Sequence, residues 1–331
     1  MTESIDYEKQ YIELLGKAEK YIFDFIPVSE PKEIYEPFKY IVSGGGKRIR
    51  PVLAMISAGA VGGQPEDALK SAASIEILHN FTLVHDDIMD ESPVRRSRDT
   101  VHIKWDEPTA ILSGDLMVGY AYKVLPSTQE HERSAYILNA LTNALIEVCE
   151  GQAYDMKFNE RGDVSYDEYL LMIEKKTSRL LETAAVMGGH SGLGTDEQIK
   201  ALEKYAYNVG IAFQIQDDLL DITADQDILG KTIGLDIVEG KKTYLIIKCI
   251  EKATSPEHKE LLKRFTENCG LSLEDVPVMK SMMENLGVLN DAGKTSEKYF
   301  NQALESLNGM PDNEYTEMLK WLVHKLNKRN Y

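Results

Sequence analysis

The stretch FTLVHDDIMDESPVRR, residues 81–96, decides how this chain is read. Asp86, Asp87 and Asp90 fall within five positions, directly after an apolar approach. The same Asp-Asp-x-x-Asp spacing returns in FQIQDDLLD, residues 213–221, as Asp217, Asp218 and Asp221. A helix turns about 100° per residue, so the first and last aspartate of each cluster lie within roughly 40° of one another. Like charges at that spacing repel, and a helix C-terminus disfavours anions. A single acidic triplet is ordinarily a solvated helix end. Two triplets, each preceded by buried-looking residues, call for a cation, and carboxylate oxygens suit Mg²⁺. An EF-hand is excluded, because its alternating ligands, central glycine and terminal glutamate are missing.

Working outward, His79 lies two helical turns before Asp86, and Gln214 lies three residues before Asp217, both on the carboxylate side of the wheel. Gly210, seven before Asp217, is expected to leave room below that cluster. Basic residues gather at three places: Lys47, Arg48 and Arg50 in SGGGKRIRP; Arg95 and Arg96; and Lys231, Lys241 and Lys242 in the long segment 222–243. Beside glycine-rich turns such groups make anion sites, since arginine grips phosphate oxygens in a bidentate manner. The glycine run is no P-loop, because its spacing differs and no strand precedes it. Metal-binding carboxylates, cationic groups and apolar helices together describe a chain that handles an apolar diphosphate.

The bulk properties agree. The chain has 331 residues, 43% of them hydrophobic, enough for a sizeable core. Its net charge of -17 argues against nucleic acid as partner. Helical periodicity runs through 7–26, 66–90, 109–125, 134–159, 166–187, 197–221, 243–252 and 294–307, with no strand alternation and no hairpin signal. The expectation is all-α: a single large helical bundle around a central cavity, one domain over residues 1–331. Three cysteines, an acidic polar N-terminus and no long apolar run predict a cytoplasmic chain without a transmembrane segment.

From about residue 40 to 245 the chain resembles the trans-isoprenyl diphosphate (polyprenyl) synthase family. GGGKRIRP, HNFTLVHDDIMD, RR, GDLM, EGQAYD, KKTSRLL, FQIQDDLLD, GK and EGKKT occur in the family's order and spacing. The resemblance implies the isoprenoid synthase fold, a homodimer, and three Mg²⁺ held between the two aspartate motifs and an allylic diphosphate. It implies Asp86, Asp90 and Asp217 as magnesium ligands, with Asp87, Asp218 and Asp221 as supporting partners. Lys47, Arg50, His79 and Arg96 match positions for isopentenyl diphosphate. Arg95, Lys176, Lys231 and Lys241 match positions for the allylic diphosphate, and Thr177 and Gln214 match positions beside the allylic cation. Lys325, Lys328 and Arg329 resemble a tail that closes over the site. The implied reaction is Mg-dependent head-to-tail elongation of dimethylallyl, geranyl or farnesyl diphosphate. Phe81, five residues before Asp86, resembles the aromatic that floors the pocket in archaeal geranylgeranyl diphosphate synthases, so the expected product is geranylgeranyl diphosphate. A farnesyl or longer product, a class I terpene cyclase and a non-catalytic synthase subunit are the alternatives; the complete second motif and GGGKRIRP speak against the last two. Two positions depart from the family pattern: Ser97 replaces a usual glycine, and Tyr244–Leu245 replace a frequent Leu-Pro.

Overall fold

The structure, a computed structural model, describes residues 6–224 and 233–328. In chain order the helices are α1 (Tyr7–Phe25), α2 (Lys32–Val42), α3 (Ile49–Ala60), α4 (Leu69–Met89), α5 (Val101–Lys104), α6 (Glu107–Lys123), α7 (Ser134–Asn159), α8 (Tyr166–Ile173), α9 (Arg179–Ser191) and α10 (Asp196–Thr223). They continue as α11 (Leu235–Val238), α12 (Tyr244–Lys252), α13 (Pro256–Glu267), α14 (Val276–Asn285), α15 (Val288–Ser306) and α16 (Glu314–Asn327). The all-α expectation holds. Among the described residues no helix is long and apolar enough to cross a membrane.

Contacts divide the chain into two units. The first comprises Met1–Leu145, Leu180–Glu203 and Leu307–Trp321. Its centre is α4, which packs on α6 and α3 and also meets α1. Residues Ser71–Leu78 of α4 are buried without a break, so this part of the helix is covered all round. The second unit comprises Ile146–Arg179, Lys204–Ser306 and Leu322–Tyr331. Its core gathers Phe158, Tyr169, Ile211, Ile215, Tyr244, Ile247, Phe265 and Met279.

The structure corrects the sequence reading in three places. The segment 89–100, expected to be plain loop, contains a short hairpin of β1 (Val94–Arg95) and β2 (Arg98–Asp99), in register Val94↔Asp99. Its two-residue turn, Arg96 and Ser97, has φ of 53° and 59°. Both positive angles match a type I′ turn, which follows strand twist but disfavours residues with a Cβ. Ser97 therefore stands where glycine is the relaxed choice. Ser97→Gly is expected to raise stability by about 1 kcal/mol, read as an upward shift of the denaturation midpoint. Second, helices α2, α3, α5, α14 and α16 form where no periodic pattern is read, α11 forms inside the segment 222–243 expected to be loop, and α13 starts inside the segment 252–260. Third, the pattern 166–187 is not one regular helix. A wider π-type turn, Glu174–Ser178, separates α8 from α9.

Candidate active site

In the first unit, α4 ends at the first carboxylate cluster. Asp90 caps the helix, its N–H donating to the Asp86 carbonyl at 2.9 Å. The three side chains have different environments. Asp86 is partly exposed and Asp90 exposed, whereas Asp87 is 1% exposed. Arg95, held on β1, donates from Nε to Asp87 Oδ1 at 2.6 Å and lies 3.9 Å from Asp86 Oδ2. Burial pushes the Asp87 carboxyl above its ordinary pKa, and the Arg95 guanidinium opposes that shift. Asp87 Oδ2 is buried with no hydrogen-bond partner among the described residues. The accessible, ligand-capable pair is thus Asp86 and Asp90, with Asp87 tied inward.

The basic loop before α3 splits into two roles. Arg48 is turned away from solvent. Its guanidinium pairs with Glu76 at 2.5 Å, reaches Glu19 at 3.3 Å and also donates to the Val42 carbonyl. Lys47, exposed, is fixed through its backbone, whose carbonyl accepts from Tyr11 Oη at 2.6 Å. Arg50 NH1 lies 3.2 Å from His79 Nε2. Burial, and then the charges of Arg50, Arg96, Arg95 and Arg48, hold His79 well below its usual pKa. His79 is therefore neutral near pH 7. Since arginine only donates, Nε2 accepts and the ring proton sits on Nδ1. Arg96 donates to the Gly45 carbonyl, and burial lowers its pKa. Lys47, Arg50, His79 and Arg96 come together as a cationic patch around a glycine loop, with one neutral imidazole.

In the second unit, α10 carries Gln214, Asp217, Asp218 and Asp221. Asp218, 3% exposed, accepts from Tyr169 Oη at 2.7 Å, Gln214 Nε2 at 3.0 Å and the Tyr244 N–H at 3.0 Å. Burial first, and then Asp236, push its carboxyl up to about 7. Burial and Asp236 also push Asp221 up to about 7, while the Asp236 N–H donates to its Oδ2 at 3.3 Å. Thr177 Oγ1 donates to Gln214 Oε1 at 2.8 Å. Gln214 thus contacts Asp218, one turn on. Lys176 Nζ donates to Asp155 Oδ2 at 2.5 Å, and Lys241 pairs with Glu239 at 2.8 Å. Asp155, Lys176, Thr177, Gln214, Asp218 and Lys241 line a cavity of about 110 Å³ with Tyr169, Asp236, Lys242 and Thr243. Lys242 itself is buried and donates to the Gly240 carbonyl at 2.8 Å, which makes it structural.

The space expected below Gly210 is filled. A Cβ on Gly210 would fall 2.4 Å from Ser178 Oγ, and one on Gly151 of α7 would fall 2.5 Å from the Lys176 amide nitrogen. The wide turn that carries Lys176 and Thr177 is therefore clasped by two glycines. Lys231 and Arg329 lie outside the described residues. Lys325 and Lys328 are exposed around the end of α16. Asp155, Tyr169 and Asp236 line the same cavity and are not singled out by the sequence reading. Asp155 ends the quoted EGQAYD motif, and Tyr169 stands seven residues before Lys176; Asp236 carried no signal of its own.

The donor set suits magnesium. It offers the accessible hard carboxylate oxygens of Asp86 and Asp90, and two carboxyls, Asp218 and Asp221, whose raised pKa a nearby cation would pull back down. Among the described residues no three His, Cys, Asp or Glu side chains converge closely enough to hold an ion alone. Magnesium accepts such sparse protein ligation because water and phosphate oxygens complete its shell.

The class defined so far is an all-helical protein with two separate carboxylate clusters, each beside its own cationic groups. A family model described as polyprenyl synthetase matches residues 31–284. The chain is 39% identical over 325 residues to a geranylgeranyl diphosphate synthase of Saccharolobus solfataricus, with 97% of each chain covered. Its structure is similar to that of a geranylgeranyl pyrophosphate synthetase from Pyrococcus horikoshii, with TM-score 0.90, 36% identity and coverage of 98% of this chain and 99% of that one. It is also similar to a polyprenyl synthase from Caulobacter crescentus solved with calcium and isoprenyl diphosphate, with TM-score 0.89, 26% identity and coverage of 98% and 97%. The chain belongs to the polyprenyl synthetase family.

Proposed function

We propose that the chain is a short-chain trans-prenyltransferase. It joins isopentenyl diphosphate head to tail to dimethylallyl, geranyl or farnesyl diphosphate and stops at geranylgeranyl diphosphate. The observation that supports this reading is that basic residues gather at two places, each of which would take one diphosphate. One is Lys47, Arg50, His79 and Arg96; the other surrounds the cavity of Lys176, Lys241 and the second aspartate cluster. A cyclase needs only one diphosphate site.

In this reading Asp86, Asp90 and Asp217 would hold magnesium, three ions per site, with Asp87, Asp218 and Asp221 in support. Bound magnesium would stabilise the charge that builds on the departing diphosphate. Arg95, Lys176 and Lys241, with Lys231, would grip that diphosphate, and Lys47, Arg50, His79 and Arg96 would hold isopentenyl diphosphate. Asp218 accepts from Gln214, whose Oε1 accepts from the Thr177 hydroxyl. The chain of dipoles leaves the Thr177 oxygen enriched in electron density, suited to face an allylic cation. The carbon–oxygen bond to diphosphate breaks first and leaves an allylic cation, the double bond of isopentenyl diphosphate attacks it to form the carbon–carbon bond, and the departing diphosphate takes the proton then lost. No side chain is needed as base. Apolar walls matter because water would trap the cation.

Phe81, 9% exposed on α4, is proposed as the pocket floor. The direct test is product analysis by mass spectrometry with Mg²⁺, isopentenyl diphosphate and each starter. Growth that ends at geranylgeranyl in the wild type, and beyond it in Phe81→Ala, is expected. No elongation with any starter would sink the reaction and favour a cyclase or a silent subunit.

The chain is proposed to work as one domain over 1–331, because the family match runs unbroken through segments of both units. A homodimer is proposed, since Ile111 and Leu112 on α6 and Leu138 on α7 expose apolar surface that a second copy would cover. Sedimentation showing only a 37.3 kDa species would reject it. The three free thiols suit a reducing compartment, and the cytoplasm is proposed. Nucleic acid has no place in this reading.

A further inference from the structure

The Phe81 ring does not stand alone. His85, one helical turn further along α4, meets it edge to face with ring centroids 4.7 Å apart. Side chains on a helix lean toward its N-terminus, so a residue at i+4 covers the turn that carries residue i. His85 is therefore placed to bound the Phe81 ring on that side. The His85 ring rests in turn against α6. Its Nε2 lies 3.3 Å from the Ile111 carbonyl oxygen. A Cβ on Gly114 would fall 2.2 Å from that nitrogen and 2.5 Å from Cδ2. No non-bonded carbon approaches so closely, so the imidazole fills the space any other side chain at 114 would occupy.

The helix leaves an aromatic side chain two χ1 wells, trans and gauche-minus. An edge-to-face neighbour selects between such wells, and its loss lets the ring swing. A swinging ring is a leaky stop. We propose that His85, seated in the notch left by Gly114, is a positioning residue for chain length. It holds Phe81 in the orientation that closes the floor, and the proposal rests on the reading of Phe81 as that floor. The specificity element is then a stack of Phe81, His85 and Gly114 spanning α4 and α6. Neither His85 nor Gly114 has any other part in the reaction proposed above.

The test compares product lengths from wild type, Phe81→Ala, His85→Gln and Gly114→Ala, with farnesyl diphosphate as starter and isopentenyl diphosphate in excess. Glutamine keeps a donor that can reach the Ile111 carbonyl but removes the ring. Alanine at 114 evicts the ring without changing it. Melting by circular dichroism confirms that each variant is folded. All three variants are expected to raise the share of products longer than geranylgeranyl, His85→Gln by up to roughly tenfold, the bias one aromatic contact can hold. Slower turnover with an unchanged length distribution in both His85→Gln and Gly114→Ala, while Phe81→Ala lengthens the product, overturns the positioning role and leaves the floor standing. An unchanged distribution in Phe81→Ala removes the floor, and the positioning role falls with it. If Gly114→Ala does not fold, His85→Gln decides alone.

Discussion

Replacing Asp86 with alanine is expected to lower kcat by about three orders of magnitude or more while the chain still folds. Asp86 is partly exposed, and Arg95 makes its close hydrogen bond to Asp87 instead. Removing a partly exposed carboxylate opens no buried space, and it takes away charge presented at the end of α4. Loss of one group that stabilises developing charge costs on the order of 10³ in rate, roughly 4 kcal/mol of barrier. Asp87→Ala should behave differently. It strips Arg95 of a partner held at 2.6 Å and opens space at a position 1% exposed, so stability should fall together with activity. Steady-state kinetics over a Mg²⁺ titration, run beside a melting curve, separates the two. An Asp86→Ala enzyme within tenfold of wild type at saturating Mg²⁺ would remove Asp86 from the ligand set. Isothermal titration of Mn²⁺ into the folded variant gives a readout that does not depend on turnover.

The largest loss of stability is expected from Glu76→Ala. Arg48 and Glu76 have side chains 1% and 2% exposed and meet at 2.5 Å. Asn80 Nδ2 adds donors to the Glu76 carbonyl at 2.7 Å and to its Oε1 at 3.1 Å. Removing one member of a buried pair strands the other charge, at a cost of about 3–5 kcal/mol. Arg48 would keep only the more distant Glu19 and the Val42 carbonyl. A drop in the urea midpoint measures the effect. The double replacement Arg48→Met with Glu76→Leu should recover most of the loss, because well-packed apolar groups often match a buried ion pair. A Glu76→Ala protein within 1 kcal/mol of wild type would show that water or Glu19 already satisfies the guanidinium.

The sequence reading was strongest where chemistry forces a departure from background. Two Asp-Asp-x-x-Asp clusters are visible because helix C-termini ordinarily avoid such charge, and the periodicity bounds α7 at Ser134 and Asn159, as observed. It failed where burial erases the period. Nearly all of α3 is buried, so its apolar residues mark no single face. In α2 an internal proline, Pro37, masks a helix that forms nonetheless. The start of α13 carries a readable signal in Ser255–Pro256, where the serine hydroxyl accepts from the His258 N–H, although the polar composition of 252–260 reads as loop. At the site, Arg48 looked like an anion-binding group among its basic neighbours. Only its αL backbone, φ 47°, and the partner 28 residues away reveal a core residue. Tyr169 and Asp236 reach Asp218 and Asp221 from other segments, and one-dimensional spacing holds no trace of that.

The wide turn at Glu174–Ser178 amounts to an extra residue absorbed by a continuous rod. Deleting any one residue there would let the rod regain an ordinary pitch with both flanking stretches facing as before, so the whole change would fall on the residues inside the turn. Local order would improve, while Lys176 and Thr177 would lose their facing toward Asp155 and Gln214. The turn also has greater girth than a normal helix, which Gly151 and Gly210 accommodate by having no side chain. Two positions that touch no substrate thereby become as intolerant of replacement as the aspartates. A substitution scan would place them among the reacting groups, although what they supply is clearance.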